Sequence, residues 1–249
     1  MDIQTLEGYS LRAWPALHED HYDGWLLRFT NGYTSRANSV NPLYGSMLDI
    51  ETKLRHCEAE YTRRGLSPRF KLTPAAYPAD LDHLLEARGY ERQTPSQMMT
   101  VDLAQLPPAA PPPAVRIVAE ADLSDDWLTA YMRLSGVRPD YLDTVRALLR
   151  RIAPQTFFSS ARRDDQIVAV TLGVREGEMI GLFDVVTQTD QRGQGIGTAL
   201  VTHVLKQGVV NGARCGYLQV LGSNANAIRL YTRLGFQVSY PYWYRVKIG

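Results

Sequence analysis

Cysteine is scarce in this chain, with only Cys57 and Cys215 among 249 residues. Two isolated thiols build neither a disulfide framework nor a cysteine-rich zinc site, both of which need spaced sets. His18 and His21 have no second ligand pair, so they read as part of a solvated polar turn and no metal is expected. Charge of one sign is lacking as well: 27 basic residues face 26 acidic ones, for a formal charge of +1. No global field recruits nucleic acid or an anionic membrane, and any anion site must come from local geometry. No run approaches the ~18 apolar residues of a membrane span. The opening MDIQTLEGYS lacks the basic and apolar regions of a signal peptide, so a cytoplasmic protein with no membrane partner is expected. Two nucleotide-binding signatures are missing too. There is no GxxxxGK[ST] loop, and no GxGxxG followed by an acidic residue about 20 positions on.

What the chain does hold is Gln191 to Gly197, QRGQGIG, between a strand-like run and a helix-like run. Met179 to Thr187, MIGLFDVVT, is apolar and β-branched. Thr198 to Val210 repeats apolar residues at Leu200, Val201, Val204, Leu205 and Val209, the spacing of an amphipathic helix. A helix N-terminus carries unpaired backbone N–H groups at the positive end of the macrodipole, so an anion docks there without a side chain intervening. Gly193, Gly195 and Gly197 permit close approach, and Arg192 adds a permanent charge with fork geometry. Taken alone, such a loop is equally an ordinary flexible turn.

Leu106 to Ala114, LPPAAPPPA, marks a boundary, because clustered prolines continue neither a helix nor a central strand. It predicts domains at 1–106 and 115–249 joined by a linker at 107–114. The second half reads as a strand from Val115 to Val118, helices around Asp122 to Leu134 and Tyr141 to Ile152, and strands at Thr156 to Arg162, Ile167 to Arg175 and Met179 to Thr187. The glycine loop and its helix follow, then a strand at Gly216 to Leu221 and a helix capped by Ser223 or Asn224 and ended by Gly235. The first half repeats part of this order, with 24 residues from Gly65 to Gly89 and 23 from Gly212 to Gly235. An internal duplication explains that match; the commonness of glycine after helices is the plain alternative.

The glycine loop resembles the RxxGxG/A signature of the GNAT superfamily of N-acetyltransferases, with Arg192, Gly195 and Gly197 at its defined positions. A second match, Asn226 to Gln237 (NAIRLYTRLGFQ), resembles the Asn, helix, Tyr and Gly-Phe segment that follows the superfamily's fifth strand, and the two occur in the superfamily's order. The resemblance implies an α/β (α+β) GNAT fold, a central mixed and mostly antiparallel sheet flanked by helices, with a second, partial GNAT-like domain at the N-terminus. It implies acetyl-CoA as acyl-donor cosubstrate. The pyrophosphate would lie on Arg192, Gly193, Gln194, Gly195, Ile196, Gly197 and Thr198, and the pantetheine arm along Asp184, Val185, Val186 and Thr187. A backbone N–H at Val185 or Val186 would face the thioester oxygen, although two core valines are the plain reading there. Asn226 would hold the cofactor arm, with helix capping as its competing use. Tyr231 matches the superfamily's general acid, since a phenol of ordinary pKa about 10 keeps its proton at neutral pH. For the base, Asp184, Glu176, Glu178 and a water chain stay open.

In such folds acceptor specificity comes from the loop between the first two helices and from the last hairpin, here Gly136 to Tyr141 and Tyr240 to Tyr244. Asp140 and Tyr141 would then meet an ammonium, and Tyr242 and Trp243 would stack on a flat or cationic acceptor; core packing or a homodimer contact is the alternative for the aromatics. The passage Trp25 to Val40, with Asn31-Gly32 as a hairpin turn, is expected to present Tyr33, Arg36 and Asn38 towards the acceptor cleft, with plain structural roles for the three as the equal alternative. Under the duplication, Leu85 matches Tyr231 and YGSMLDI (Tyr44 to Ile50) matches QRGQGIG, so the first half lacks phenol and phosphate loop and is expected to be degenerate. The implied function is an acetyl-CoA-dependent N-acetyltransferase acting on the primary amine of a small molecule or amino acid. A non-catalytic acetyl-CoA sensor, and an acetyltransferase of a protein lysine or N-terminus, are the alternatives.

Overall fold

A computed structural model describes residues 1–108 and 111–248. In chain order the elements are α1 Ile3–Ala13, β1 His18–Tyr22, β2 Trp25–Phe29, β3 Val40–Asn41, α2 Ile50–Arg63, β4 Arg69–Leu72, α3 Leu81–Ala87, β5 Tyr90–Asp102, β6 Arg116–Glu120, α4 Asp125–Ser135, α5 Leu142–Arg150, β7 Gln155–Arg163, β8 Gln166–Glu176, β9 Met179–Thr187, α6 Ile196–Val210, β10 Cys215–Leu221, α7 Ala225–Arg233 and β11 Gln237–Lys247. Short polar side chains set several helix starts: Asp2, Asp49, Ser124 and Asn224 each accept from a backbone N–H in the first turn of α1, α2, α4 and α7. Ser124 thereby starts α4 at Asp125, three residues after the expected Asp122. Left-handed glycines end five helices, with φ of +68° at Gly65, +79° at Gly89, +66° at Gly136, +96° at Gly212 and +90° at Gly235. The order helix, glycine, strand, helix, glycine, strand thus occurs twice, from α2 to β5 and from α6 to β11.

The chain divides into two units, Met1–Gln97 with Leu221–Ser223 and Tyr240–Gly249, and Met98–Val220 with Asn224–Ser239. The proline run instead divides the sequence at 107–114, of which 109–110 lie outside the described residues. The difference has a physical origin. Strand pairing groups segments remote in sequence, whereas a proline run records only the local absence of hydrogen-bonding donors.

In the first unit the strand order is β1-β2-β3-β4-β11, with β3 and β4 parallel and the other pairs antiparallel. Trp25, Leu27, Val40, Phe70 and Leu72 pack from one face onto Leu54, Cys57 and Tyr61 of α2 and Leu81 and Leu85 of α3. Burial pushes the Cys57 thiol up to about 12, so it is unreactive core. His18 and His21, read as a turn, lie in the exposed strand β1 opposite Phe29 and Leu26. A polar edge strand shows no apolar alternation to announce it. The Asn31-Gly32 turn forms, with the Tyr33 N–H on the Thr30 carbonyl at 2.8 Å, but the partner strand resumes only at Val40.

The second unit places β5, β10, β9, β8, β7 and β6 side by side, antiparallel from β6 to β9 and parallel between β9 and β10. The mixed, mostly antiparallel sheet flanked by helices agrees with the expected fold class. Its main core joins Leu182 of β9, Leu218 of β10, Val201, Val204 and Leu205 of α6, and Tyr231 and Leu234 of α7. Trp127 of α4 donates its indole N–H to the Ser159 carbonyl at 3.0 Å.

Candidate active site

Strand β9 is regular only in its first half. Its pairing with β8 runs from Glu176↔Met179 to Leu172↔Phe183 and then resumes at Val170↔Val186, so Asp184 and Val185 together face Thr171. That is a β-bulge, with Asp184 in the left-handed region at φ +52°. The Thr171 hydroxyl donates to the Phe183 carbonyl at 3.0 Å. On the other edge, pairing with β10 ends at Leu182↔Leu218 while β9 runs on to Thr187. The strand is buried up to Phe183 and half-buried from Asp184 to Thr187. A bulge re-aims backbone groups on the strand segment that β10 has left. Val185 packs against the cluster that contains Tyr231, and so is partly core.

The loop after β9 delivers an unfilled helix N-terminus. Gly193 and Gly195 adopt φ of +76° and +80°, and no side chain caps α6. The Ala199 N–H, bonded to the Gly195 carbonyl at 3.0 Å, begins the helical ladder, leaving the N–H groups of Ile196, Gly197 and Thr198 ahead of it. Ile196 offers only its backbone, because its side chain is core. A Cβ on Gly197 would come within 3.3 Å of the Thr187 hydroxyl and 3.5 Å of Leu230, so glycine keeps this approach tight. Gly193, Gln194 and Gly195 are exposed. Arg192 donates from Nε to the Thr187 carbonyl at 3.1 Å and makes no ion pair among the described residues.

The corresponding start of α2 is chemically different. Asp49 accepts from the Thr52 N–H at 2.9 Å, and Asp23 accepts from Met47 at 3.0 Å and Leu48 at 2.9 Å. The chain's own carboxylates satisfy these donors, where the α6 start has none.

A residue missed in the sequence joins the α6 loop: Arg163, at the end of β7, donates to the side-chain oxygens of Gln191 and Gln194, the latter at 2.9 Å. It adds a second guanidinium beside the loop of Arg192. We predict that Arg163→Gln weakens binding of a diphosphate ligand several-fold, about 3- to 10-fold for one partly exposed charge; calorimetry checks it, and unchanged affinity assigns Arg163 to loop packing alone.

Tyr231 is 7% exposed, and burial pushes its phenol up to about 12. Its ring meets Phe236 edge-on at 5.8 Å between centroids. Asn224 caps α7 through the Ala227 N–H at 3.1 Å, so Asn226 does not serve as the cap. Asn226 is exposed and accepts from Arg229. Glu176 ends β8 and Glu178 lies in the turn before β9, and at ~3.3 Å per residue Glu178 is about 20 Å from Asp184. They do not share a site with Asp184, which stands in the bulge itself.

The expected acceptor residues separate into different environments. Asp140 pairs with Arg138 at 2.8 Å on the surface, and the Arg138 guanidinium sits 4.8 Å from the Tyr141 ring centroid. The segment Tyr240 to Tyr244 is not a hairpin but the interior of β11. Alternation therefore puts Tyr242 and Trp243 on opposite faces: Tyr242 packs with Tyr244 and Val246, while Trp243 donates to Asp82 at 2.8 Å. They do not stack on one acceptor together. Tyr33 is buried, and Arg36 lies over Trp14 at 4.6 Å. Asn38 is spent on the turn, accepting from Thr30 at 2.7 Å and Gly32 at 3.0 Å and donating to the Tyr33 carbonyl at 2.7 Å. A cavity of about 410 Å³ bounded by Pro111, Val115, Arg116, Ala199, His203 and Lys206 holds none of the expected site residues. Among the described residues, no group of His, Cys, Asp or Glu could hold a metal, and no helix is long and apolar enough to cross a membrane.

The family described as "Probable histone acetyltransferase Rv0428c C-terminal" matches residues 1–245. The chain is 29% identical to the "Uncharacterized N-acetyltransferase YobR" of Bacillus subtilis over 99% of both chains. A stretch of 55 residues, 22% of this chain and 37% of the relative, is 40% identical to the [Ribosomal protein bS18]-alanine N-acetyltransferase of Escherichia coli. Among solved structures, a GCN5-related N-acetyltransferase from Kribbella flavida shares the fold at TM-score 0.77 and 16% identity, covering 100% of this chain and 97% of its own. A tandem GNAT protein from the clavulanic acid biosynthesis pathway does so at TM-score 0.65 and 13% identity, over 84% of this chain and 75% of its own. A bulged strand parting from its parallel neighbour, an uncapped glycine-rich helix start, and a family match over nearly the whole length agree: the chain belongs to the Rv0428c C-terminal family of GNAT-type N-acetyltransferases.

Proposed function

We propose that the protein transfers acetyl from acetyl-CoA to the primary amine of a small molecule or amino acid by direct attack on the thioester. The observation that carries this reading is the pairing of β9, which bulges at Asp184 and leaves β10 after Leu182, directly before an α6 N-terminus without a side-chain cap. These features fit acetyl-CoA. Unpaired N–H groups at Ile196, Gly197 and Thr198 suit a pyrophosphate, with Arg192 as its counter-charge. The half-buried backbone of Val185, Val186 and Thr187 suits an amide-bearing arm, and the exposed Asn226 amide stands at the start of α7 to hold it.

Acetyl-CoA, when bound, supplies an activated acetyl thioester. The backbone N–H of Val185 or Val186 donates to the carbonyl oxygen as negative charge grows there. Tyr231, a phenol that keeps its proton at neutral pH and that burial pushes further up, gives its O–H proton to the departing sulfur. Asp184 takes the proton that the attacking amine loses, directly or through water. A protein amine is the second reading, favoured by the match to the enzyme named for the alanine of ribosomal protein bS18.

The test is thiol release from acetyl-CoA across amines, amino acids, aminoglycosides and peptides, with mass detection of the product. Transfer to a small acceptor supports the reading; transfer to peptides alone favours the second, and tight binding without any transfer makes the protein a sensor. Arg192→Ala is expected to weaken acetyl-CoA binding about tenfold, the scale of one charge-assisted contact, without changing stability. Unchanged affinity in calorimetry removes Arg192 from the cradle.

A further inference from the structure

The sheet of the first unit buries both faces, and the second of them is polar. Opposite the apolar face, alternation places Arg28 and Thr30 of β2 and its end, Ser39 and Asn41 around β3, Arg69, Lys71 and Thr73 along β4, and Tyr240, Tyr242 and Tyr244 of β11. All but Arg69 are buried. Most of these groups are paired. Lys71 meets Glu7 of α1 at 2.5 Å, and the Tyr240 hydroxyl donates to the same carboxylate at 2.8 Å. Arg28 donates to Glu19 and to the carbonyls of Leu11, Trp14 and Arg36.

Three buried atoms in this face have no hydrogen-bond partner in the protein: Asn41 Oδ1, Arg69 Nε and the Tyr244 hydroxyl. Strand register puts them on one patch of this face. Val40↔Phe70 sets Asn41 beside Lys71, and Lys71 pairs with Tyr244, so Asn41 and Tyr244 flank Lys71 in one cross-strand row, about 10 Å apart along it. Arg69 follows on the same face of β4, a diagonal neighbour of Tyr244. The Asn41 amide is oriented by its Nδ2, which donates to the Ser39 carbonyl at 3.0 Å and leaves Oδ1 as the open acceptor. Arg69 bonds Ser35 through Nη1 and has no carboxylate partner among the described residues. Burial holds the Tyr244 phenol well above its ordinary pKa, so it is a donor. Buried polar groups left this way are costly, and clusters of them call for a shared partner.

We propose that this row is a subsite for a small carboxylate bearing an adjacent hydrogen-bond donor, an amino acid or a hydroxy acid. The Arg69 Nε–H and the Tyr244 O–H donate to the carboxylate oxygens, and Asn41 Oδ1 accepts from the ligand's ammonium or hydroxyl. Inorganic phosphate, which keeps a P–OH near neutral pH, also offers acceptors and a donor but no carboxylate, and so serves as the comparison anion. Arg69 and its partner Ser35 are half-buried, and a ligand of this size would enter past them.

Calorimetry on the full chain with glycine, lactate, glycinamide and inorganic phosphate tests this directly. Glycine or lactate is expected to bind and glycinamide to fail. Tyr244→Phe, which deletes only a hydroxyl without a protein partner, is expected to weaken binding about tenfold or more while acetyl-CoA affinity stays unchanged. Arg69→Met provides a second variant with the same expected direction. If neither carboxylate binds, or Tyr244→Phe binds as well as wild type, the subsite is refuted and the three atoms are internal polar groups only. Glycine recovered as its N-acetyl product marks the ligand as acceptor; glycine bound but unmodified beside acetyl-CoA marks it as a regulator, and both outcomes support the subsite. A protein that binds these carboxylates yet never releases thiol keeps the subsite and loses the proposed reaction.

Discussion

Replacing Tyr231 with phenylalanine is expected to lower kcat about 100-fold or more, the lower range of general acid–base contributions, while leaving acetyl-CoA affinity nearly intact. The phenyl ring keeps the packing that Tyr231 makes with Phe236 and the α6–α7 core, so the fold should persist and the loss should lie in the chemical step. Burial alone holds this phenol up at about 12, and its proton remains in place throughout the range in which acceptor amines deprotonate. The rate should therefore rise with pH as the acceptor's ammonium is lost, with no descending limb from Tyr231 below about pH 11. Stability follows the same shift. The unfolded phenol ionises near the ordinary value of about 10, so the contribution of the neutral buried group is full below that pH and is lost as pH climbs towards 12. Wild-type turnover in the phenylalanine variant would move the acid role to another group.

The second large effect is expected for Gly195→Asp. At the start of α2 the carboxylate of Asp49 already occupies the helix-end donors, and the substitution places the same kind of charge at the start of α6. Repulsion between unit charges 4 Å apart is about 4 kcal/mol at an effective dielectric of 20. Exposure of the loop reduces that figure, and a loss of acetyl-CoA affinity of about 100-fold is expected. Space is not the obstacle, since a Cβ here would meet only Pro112 at 3.9 Å. The φ of +80° strains any side chain, but Asp and Asn tolerate the left-handed region better than most residues. Gly195→Asn is the control, matching shape without charge. Equal affinities for wild type and both variants, measured by calorimetry, would show that no anion docks at this turn.

Local signals in the sequence were legible where one segment decides its own structure. Met179 to Thr187 forms the strand with the bounds its β-branched run indicated, and Asn224 caps α7 as its position before the helix required. Gly65, Gly89, Gly212 and Gly235 are left-handed at the helix stops that the sequence pattern indicates. Features that depend on a neighbour were not legible. The bulge at Asp184 arises from a register change against β8, and an aspartate carries none of the signal that a glycine would. Arg163 reaches Gln191 across 28 residues of sequence, a contact that only the sheet creates. Tyr242 and Trp243 looked like one aromatic patch because they are adjacent, and strand geometry separates them for that reason. Asn38 is a polar residue in a loop whose amide is consumed by that loop's backbone, which composition does not reveal.

An NMR titration of glycine-labelled protein, following backbone amides as acetyl-CoA is added, tests most directly whether acetyl-CoA docks at the start of α6. The expected result is large shifts at Gly193, Gly195 and Gly197, with Gly45 before α2 unmoved. Saturable shifts at Gly45 instead, or none at the α6 turn, would contradict it.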